Sequence, residues 1–117
     1  MKVKRIVTNV EAAAPGLAKQ FYETIFGLTL MMDQGWIMTY GSDESMDVQI
    51  SFAAHGGSGT LVPDISIEVD DLDEVLQRCI SAGIKILYGP AEEPWGVKRF
   101  YIQDPFGKLV NVLVHIN

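Results

Sequence analysis

The sequence has little of what would tie a protein to a membrane or to an oxidising compartment. It contains a single cysteine, Cys79, so no disulfide can form within the chain, and this fits a reducing compartment. No stretch approaches the roughly 20 consecutive apolar residues that a membrane-spanning helix needs. The first residues are basic, but a polar segment follows where a signal peptide would need its apolar core. We therefore expect a cytoplasmic protein that has no membrane partner.

Positive charge is scarce as well. The chain has 9 lysines and arginines against 15 aspartates and glutamates, which gives a formal net charge of −6. Proteins that hold phosphate backbones need clustered positive charge, and here the basic residues are dispersed, so we expect no nucleic-acid partner. The 117 residues, of which 48% are hydrophobic, are enough for one domain with a core and too few for two conventional ones.

The hydrophobic pattern runs through the chain twice. Alternating apolar residues predict four strands in the first half, at 5–11, 28–32, 36–40 and 47–52. The second half repeats the pattern, with strands at 64–69, 84–88, 97–103 and 109–115. Each half has one amphipathic helix after its first strand, and Gly27 and Gly83 stand where these helices end. This duplication predicts an α+β fold built from two tandem βαβββ modules.

In this interpretation the two modules form one domain over residues 1–117. Module one covers about 1–55, a glycine-rich linker covers about 55–62, and module two covers about 63–117. The linker contains the segment His55-Gly56-Gly57-Ser58-Gly59-Thr60, which is typical of a flexible connection. A phosphate-binding loop is disfavoured, because no Gly-Lys-Ser/Thr ending follows these glycines.

Each predicted sheet has only one helix, so one face of each sheet is free of helix. That helix-free face carries polar groups set among apolar ones, including Asn9, Gln49, Ser51, Asp64, Glu68 and Asn111. Such a face is either exposed to solvent or lines a cleft, where a few polar groups orient a ligand against apolar walls. The pattern alone leaves both possibilities open.

Several short segments, spread over almost the whole chain, carry a resemblance to a known family. They are Phe21-Tyr22, Ile25-Phe26-Gly27-Leu28, Ile67-Glu68-Val69-Asp70-Asp71-Leu72-Asp73, Ala82-Gly83, Pro94-Trp95-Gly96 and Asp104-Pro105-Phe106-Gly107. In this order they resemble the vicinal oxygen chelate superfamily, which contains glyoxalase I, extradiol dioxygenases, and bleomycin and fosfomycin resistance proteins. Most of the motifs are structural, so they separate the branches poorly. The resemblance implies sheets that curl around a central cleft lined by the helix-free face.

Enzymes of this superfamily hold a divalent metal on equivalent strands of the two modules, usually with His and Glu side chains. The resemblance puts the matching positions at Val7, Gln49 or Ser51, Asp64 and Asn111. Valine cannot ligate a metal, amide side chains are weak ligands, and only Asp64 is an ordinary one. The two histidines, in the linker and near the C-terminus, do not restore the set. Because a catalytic transition-metal site needs about three good ligands, we expect no metal and no other cofactor.

Asp64 and Glu68 are the best candidates for catalytic residues, because both lie on the same strand face. Buried in a cleft, one of them could act as a general acid or base. The same carboxylates could instead bind a cationic ligand or stay partly solvated. Cys79 lies on the apolar stripe of the second helix, where a packing role is favoured over a nucleophilic one.

Aromatic side chains indicate what such a cleft would hold. Trp36 and Trp95 could stack on a flat or cationic ligand, although core packing for Trp36 and a structural loop for Trp95 stay open. The Gly35-Trp36 segment resembles bleomycin-resistance proteins, which are metal-free dimers that sequester a flat, basic antibiotic. Lys98 would be either a charge at the rim of the cleft or a solvated one. The predicted ligand-binding residues are Asn9, Trp36, Gln49, Ser51, Asp64, Glu68, Trp95, Lys98 and Asn111.

Together these features favour a metal-independent small-molecule-binding protein of the glyoxalase/bleomycin-resistance type, one that sequesters a cationic or aromatic compound. The resemblance implies a homodimer. The alternative is a glyoxalase-like lyase or isomerase with an atypical metal or acid–base site, so enzymatic activity stays open while binding is favoured. A third interpretation is an interaction module whose cleft is filled by its own side chains.

Overall fold

The computed structural model describes residues 1–2 and 4–116. The chain divides into two compact units, Met1–Ala53 and Ala54–Asn117. Val3 and Asn117, which fall inside the predicted module ranges, lie outside the described residues. Among the residues described, no helix combines the length and the apolar character needed to cross a membrane.

The first unit contains one short helical segment and one pair of strands. A 3₁₀ turn, Pro15–Ala18, leads into a turn of π-helix, Lys19–Glu23. Strands β1, Thr29–Asp33, and β2, Met38–Gly41, pair antiparallel. The proline suits the first helical turn as predicted, because it lacks only an N–H that would be unpaired there.

Two strands predicted for the first unit are not formed. Residues 5–11 and 47–52 show the alternating pattern but form no strand. A strand needs a neighbouring backbone for its N–H and C=O groups, and alternation of side chains does not supply one. The apolar side chains of these segments, such as Ile6, Val7, Ile50 and Phe52, are exposed. The alternating pattern therefore marks two segments that are suited to strand pairing, but within the described residues neither of them pairs with a neighbouring strand.

The second unit contains the complete βαβββ module that the sequence predicts. Its elements are β3, Ile65–Glu68, α1, Leu72–Ser81, β4, Tyr88–Glu93, β5, Val97–Gln103, and β6, Leu109–His115. The sheet order is β3-β6-β5-β4, with β3 parallel to β6 and the other neighbours antiparallel. The α+β class is thus confirmed, and it is most complete in this half of the chain.

Helix α1 begins and ends where its sequence indicates. The Asp71 side chain accepts a hydrogen bond of 3.0 Å from the Glu74 backbone N–H, which is a standard N-terminal cap. At the other end Gly83 has φ +73°, and the Ile84 N–H donates to the Cys79 carbonyl at 2.9 Å. This closing geometry needs a left-handed residue, which glycine adopts without steric cost.

The core of the second unit lies between α1 and one face of the sheet. Helix α1 packs against β6, and its buried residues are Leu72, Val75 and Cys79. The sheet contributes alternate residues of β5 and β6, all with no exposed surface: Phe100, Ile102, Val110 and Val112. Because side chains alternate along a strand, the intervening residues lie on the opposite, helix-free face.

Strand β4 lies further along the chain than predicted. The pattern placed it at 84–88, but it runs from Tyr88 to Glu93 across a Gly89-Pro90 pair that usually breaks strands. The pair is tolerated because β4 is an edge strand and its register with β5 shifts between Tyr88 and Ala91. A Cβ on Gly89 would lie 2.5 Å from the Arg99 carbonyl oxygen, so only glycine fits.

Candidate functional site

The helix-free face of the second sheet aligns polar and aromatic side chains in a row across all four strands. Pairing places Ser66 of β3 beside Asn111 of β6, Asn111 beside Tyr101 of β5, and Tyr101 beside Tyr88 of β4. We call these four residues the polar row. The rings of Tyr88 and Tyr101 lie 5.4 Å apart in a tilted arrangement.

Asn111 is the centre of the polar row and is only 7% exposed. Its Nδ2 donates a hydrogen bond of 3.1 Å to Ser66 Oγ. Its Oδ1 is buried and has no hydrogen-bond partner among the residues that the structure describes. A buried acceptor without a donor is unfavourable in a folded protein, so this atom marks a place where the site is incomplete.

Arg99 lies on the same face, two residues before Tyr101 in β5, and is 4% exposed. Its Nη1 donates to the Tyr101 hydroxyl at 2.8 Å, and its Nη2 lies 3.3 Å from Glu93 Oε2. Three rings surround the guanidinium, with centroids 4.9 to 5.4 Å from Cζ, those of Tyr88, Trp95 and Tyr101. Cation–π attraction strengthens when the charge is shielded from water, as it is here.

Glu93 balances the charge of Arg99 in this buried network. Burial raises the pKa of Glu93, but the hydrogen bonds donated by Ser58 and Tyr88, together with the Arg99 charge, outweigh it. The pKa of the carboxyl therefore lies below its ordinary value, and the group is ionised at neutral pH. Arg99 and Glu93 thus form a buried pair of no net charge.

The glycine-rich segment covers this network. We call residues 56–61 the strap. Arg99 Nη2 donates to the carbonyl oxygens of Gly56 and Gly57 at 2.9 and 3.4 Å, and the Tyr101 hydroxyl donates to the Leu61 carbonyl at 3.2 Å. The segment predicted to be a flexible connection is therefore attached to the sheet of the second unit.

The predicted site residues of the second unit fall into different surroundings. Asp64 Oδ2 accepts from the Leu109 N–H at 2.8 Å, so this carboxylate helps to hold β6. Glu68 Oε2 lies 2.6 Å from His115 Nδ1 on the exposed part of the helix-free face. Trp95 contacts the Arg99 guanidinium. Lys98 follows strand parity with Phe100 and therefore lies on the face opposite Arg99.

The predicted site residues of the first unit are exposed. Asn9, Gln49 and Ser51 lie in segments without strand structure. Trp36 lies in the bend that connects β1 to β2, where it is 79% exposed. A core position for Trp36, one of the two alternatives open from the sequence, is therefore wrong for this chain by itself.

The donors at the superfamily's metal positions do not fit a catalytic transition metal. In the second unit, Asn111 offers an amide oxygen, and the Asp64 carboxylate already accepts from a backbone N–H. In the first unit Val7 has no donor atom. Across residues 1–2 and 4–116, no three His, Cys, Asp or Glu side chains are grouped to hold a metal.

Sequence reasoning missed the residues that dominate the helix-free face, which are Tyr88, Glu93, Arg99 and Tyr101. A signal for two of them was present in β5. Phe100 and Ile102 mark the core parity, so Arg99 and Tyr101 had to lie on the other face. Tyr88 and Glu93 had no such signal, because they lie in a strand whose position was predicted wrongly.

Cys79 is a packing residue of the second unit. The side chain is buried in the packing of α1. Burial raises the pKa of its thiol to about 11, so almost none of it is ionised. The preference for a packing role over a reactive one is confirmed.

Comparison with known families gives one match over most of the chain. The model of the Glyoxalase/Bleomycin resistance protein/Dioxygenase superfamily matches residues 12–112. No curated protein sequence matches the chain significantly.

Solved structures with the same fold cover nearly the whole chain. TnmS3, an antibiotic binding protein from Streptomyces sp. CB03234, is 20% identical, with a TM-score of 0.73 and coverage of 98% of both chains. A superfamily member from Sphaerobacter thermophilus DSM 20745 is 15% identical, with a TM-score of 0.70 and coverage of 97% of this chain and 98% of that one. TioX from Micromonospora sp. ML1 is 19% identical, with a TM-score of 0.64 and the same coverage. At these identities the likeness establishes the fold alone.

Proposed function

Because this chain belongs to the Glyoxalase/Bleomycin resistance protein/Dioxygenase superfamily, we propose that it is a metal-independent protein that binds a small aromatic compound. The site is the helix-free face of the second sheet. The observation that carries the proposal is the buried Asn111 Oδ1, which lies in a row of polar and aromatic side chains and has no partner within residues 1–2 and 4–116. Small-molecule sites combine apolar or aromatic walls with a few directed polar groups in this way.

The aromatic choice rests on what surrounds the site. Trp95 is half exposed beside the Arg99 guanidinium and can present a flat surface to a ligand. A cationic ligand, the other possibility from the sequence, would need free carboxylates. Asp64 and Glu68 both have partners within the protein, which weakens that possibility. The antibiotic-binding relative TnmS3 supports a role in sequestering such compounds.

Metal independence rests on donor chemistry. The amide oxygen of Asn111 replaces the carboxylate that superfamily enzymes use on the last strand, and Val7 has no donor at all. Elemental analysis of protein purified without chelators tests this directly. We expect less than stoichiometric Zn, Ni, Fe or Mn after dialysis, and a stoichiometric amount of any of these metals would overturn the proposal.

Fluorescence titration tests the binding function. Trp95 lies against the site while Trp36 lies in the other unit, so the variant Trp36→Phe leaves one reporter. We expect quenching of this variant by flat aromatic compounds and no quenching by aliphatic compounds of similar size. No response across a broad aromatic panel would contradict the proposal.

We also propose a homodimer, in which a second copy covers the exposed apolar segments of the first unit. Ile50 is 66% exposed, and Phe52 and Trp36 are more exposed still. Apolar groups concentrated in unpaired segments are typical of surfaces that bind another chain. Light scattering coupled to gel filtration should give twice the 12.9 kDa mass of the chain.

One observation favours the alternative class, a lyase or isomerase. His115 Nδ1 lies 2.6 Å from Glu68 Oε2 on the exposed part of the helix-free face, and such a pair can move a proton. If this alternative holds, His115→Gln abolishes turnover and leaves ligand binding intact. Binding without any turnover in the wild-type protein would support the binding function instead.

A further inference from the structure

The strap occupies the hydrogen-bond donors of the helix-free face with its own backbone. The carbonyl oxygens of Gly56, Gly57 and Leu61 accept from Arg99 and Tyr101. Side chains add three further contacts. Ser58 donates to Glu93, Thr60 Oγ1 lies 3.1 Å from the Tyr101 hydroxyl, and Arg99 Nη2 donates to Thr60 Oγ1 at 3.4 Å. Thus the groups that a ligand would use are filled by a segment of the same chain.

The closed arrangement of the strap has two unfavourable features, which are buried polar atoms without hydrogen bonds and a strained backbone. Arg99 Nε and Asn111 Oδ1 are buried without partners in the described part of the chain, and both lie on the helix-free face. Ser58 holds a left-handed backbone with φ +50°, which is strained for a residue with a side chain. These costs oppose closure, and a glycine-rich segment gains conformational freedom when it is released.

The chemistry of the strap indicates the chemistry of the ligand. The atoms that satisfy Arg99 and Tyr101 are mostly neutral carbonyl oxygens, because Glu93 already balances the guanidinium charge. A cation would meet Arg99 and an anion would meet Glu93, each at a cost in a buried setting. A neutral carbonyl group can replace the strap without adding charge.

We propose that the strap is an internal competitor, and that a neutral carbonyl-bearing aromatic compound binds Arg99 and Tyr101 by displacing it. The proposal rests on the proposed binding function and adds the ligand class and the segment that regulates access. Closure lowers the apparent affinity by the fraction of molecules in which the strap is open. Weakening the strap therefore tightens binding, even though no contact to the ligand is added.

Two pairs of variants change the strap with matched controls. A Cβ on Gly57 would lie 2.6 Å from Trp95 Cη2, while Gly59 has a similar left-handed φ and nothing within 4 Å of a Cβ. Gly57→Ala therefore disrupts docking, and Gly59→Ala carries the same kind of backbone strain without the clash. Thr60→Val removes the hydroxyl that contacts Tyr101 and Arg99, and Thr60→Ser keeps it.

Three isosteric probes separate the ligand classes: benzamide is neutral with a carbonyl group, benzamidine is a cation, and benzoate is an anion. Binding is measured by the shift of the Arg99 Nε–H resonance during titration. We expect benzamide to bind most tightly and to gain about tenfold in affinity in Gly57→Ala and Thr60→Val. Gly59→Ala and Thr60→Ser should retain the wild-type affinity.

Each outcome decides the proposal. Equal benzamide affinity in the wild-type protein, Gly57→Ala and Thr60→Val overturns the strap mechanism, as does tightest binding of benzamidine or benzoate. If Gly57→Ala does not fold, the comparison of Thr60→Val with Thr60→Ser still decides it. Aromatic compounds that quench Trp95 without moving the Arg99 signal would leave the proposed function standing and refute the strap. Absence of any binding across the broad aromatic panel would refute both.

Discussion

The two units of this chain were predicted from the same repeated pattern. They differ in how many of the predicted strands pair and in how many apolar side chains are buried. The second unit forms its whole βαβββ module. It also contains the one buried charged pair that the structure describes, Arg99 with Glu93. The first unit forms two strands and leaves apolar residues of two further segments exposed. The difference teaches that the same sequence pattern forms a paired and buried module in one unit and leaves exposed apolar segments in the other.

The buried network of the second unit gives the largest expected effect. Arg99→Met leaves Glu93 ionised, buried and without its charge partner, which should cost about 3–5 kcal/mol in the free energy of unfolding. Arg78→Met is the matched control, because Arg78 also pairs with a glutamate, Glu74, but on the exposed face of α1. That change should cost about 0.5 kcal/mol or less. Urea denaturation measures both, and similar losses would mean that the network does not stabilise the unit.

A smaller part of the same stabilisation depends on pH. The pKa of Glu93 is below its ordinary value of 4.5 in the folded protein. The contribution of Glu93 to the free energy of unfolding is therefore complete above pH 4.5. It is lost as the pH falls through the lower pKa of the folded state. We expect the stability difference between the wild type and Glu93→Gln to be constant near neutral pH and to shrink in acid. A difference that grows on acidification would reverse the assigned direction.

For the first unit, the expected effect is on association. Ile50→Glu puts a charge on the surface assigned to the second copy and should weaken dimerisation by about tenfold or more. Ile80→Glu is the control, since Ile80 is also an exposed isoleucine, at 56% against 66%, but lies on α1 of the other unit. Sedimentation equilibrium gives both dissociation constants. A dimer that tolerates Ile50→Glu, or one that Ile80→Glu disrupts, would place the interface elsewhere.

Helix capping gives the smallest expected difference between the units. Asp71→Ala removes the N-terminal cap of α1 and should cost about 1 kcal/mol. The helical segment of the first unit has no side-chain cap at Ala14, so Ala14→Asp should stabilise it by up to about 1 kcal/mol. Thermal unfolding should shift down for the first variant and up for the second. A loss of stability in Ala14→Asp would show that this segment begins elsewhere.

The accuracy of sequence reasoning follows the same division. Helix α1 was predicted from its amphipathic pattern and glycine stop because both are local signals. Strands β5 and β6 were predicted because apolar alternation has a neighbouring strand to pair with. The segments at 5–11 and 47–52 have the same alternation, but pairing depends on another backbone, which the pattern does not contain.

The candidate site divides in a similar way. Asn111 was identified from its strand face, and the structure gives it a buried oxygen with no partner. Arg99 was not predicted, although its neighbour Lys98 was, and the two lie on opposite faces of β5 because side chains alternate along a strand. The strap could not be placed, because its hydrogen bonds to Arg99 and Tyr101 join residues about 40 positions apart.

The most direct test of this account is a titration with a quenching aromatic compound, followed by the side-chain NMR signals of Asn111 Nδ2 and Arg99 Nε. Both side chains lie on the helix-free face, opposite the face of the sheet that α1 covers, so their signals report the site itself. The account predicts that both signals shift together, with the same dissociation constant as the quenching of Trp95. Signals that stay fixed while α1 or first-unit resonances shift would contradict it.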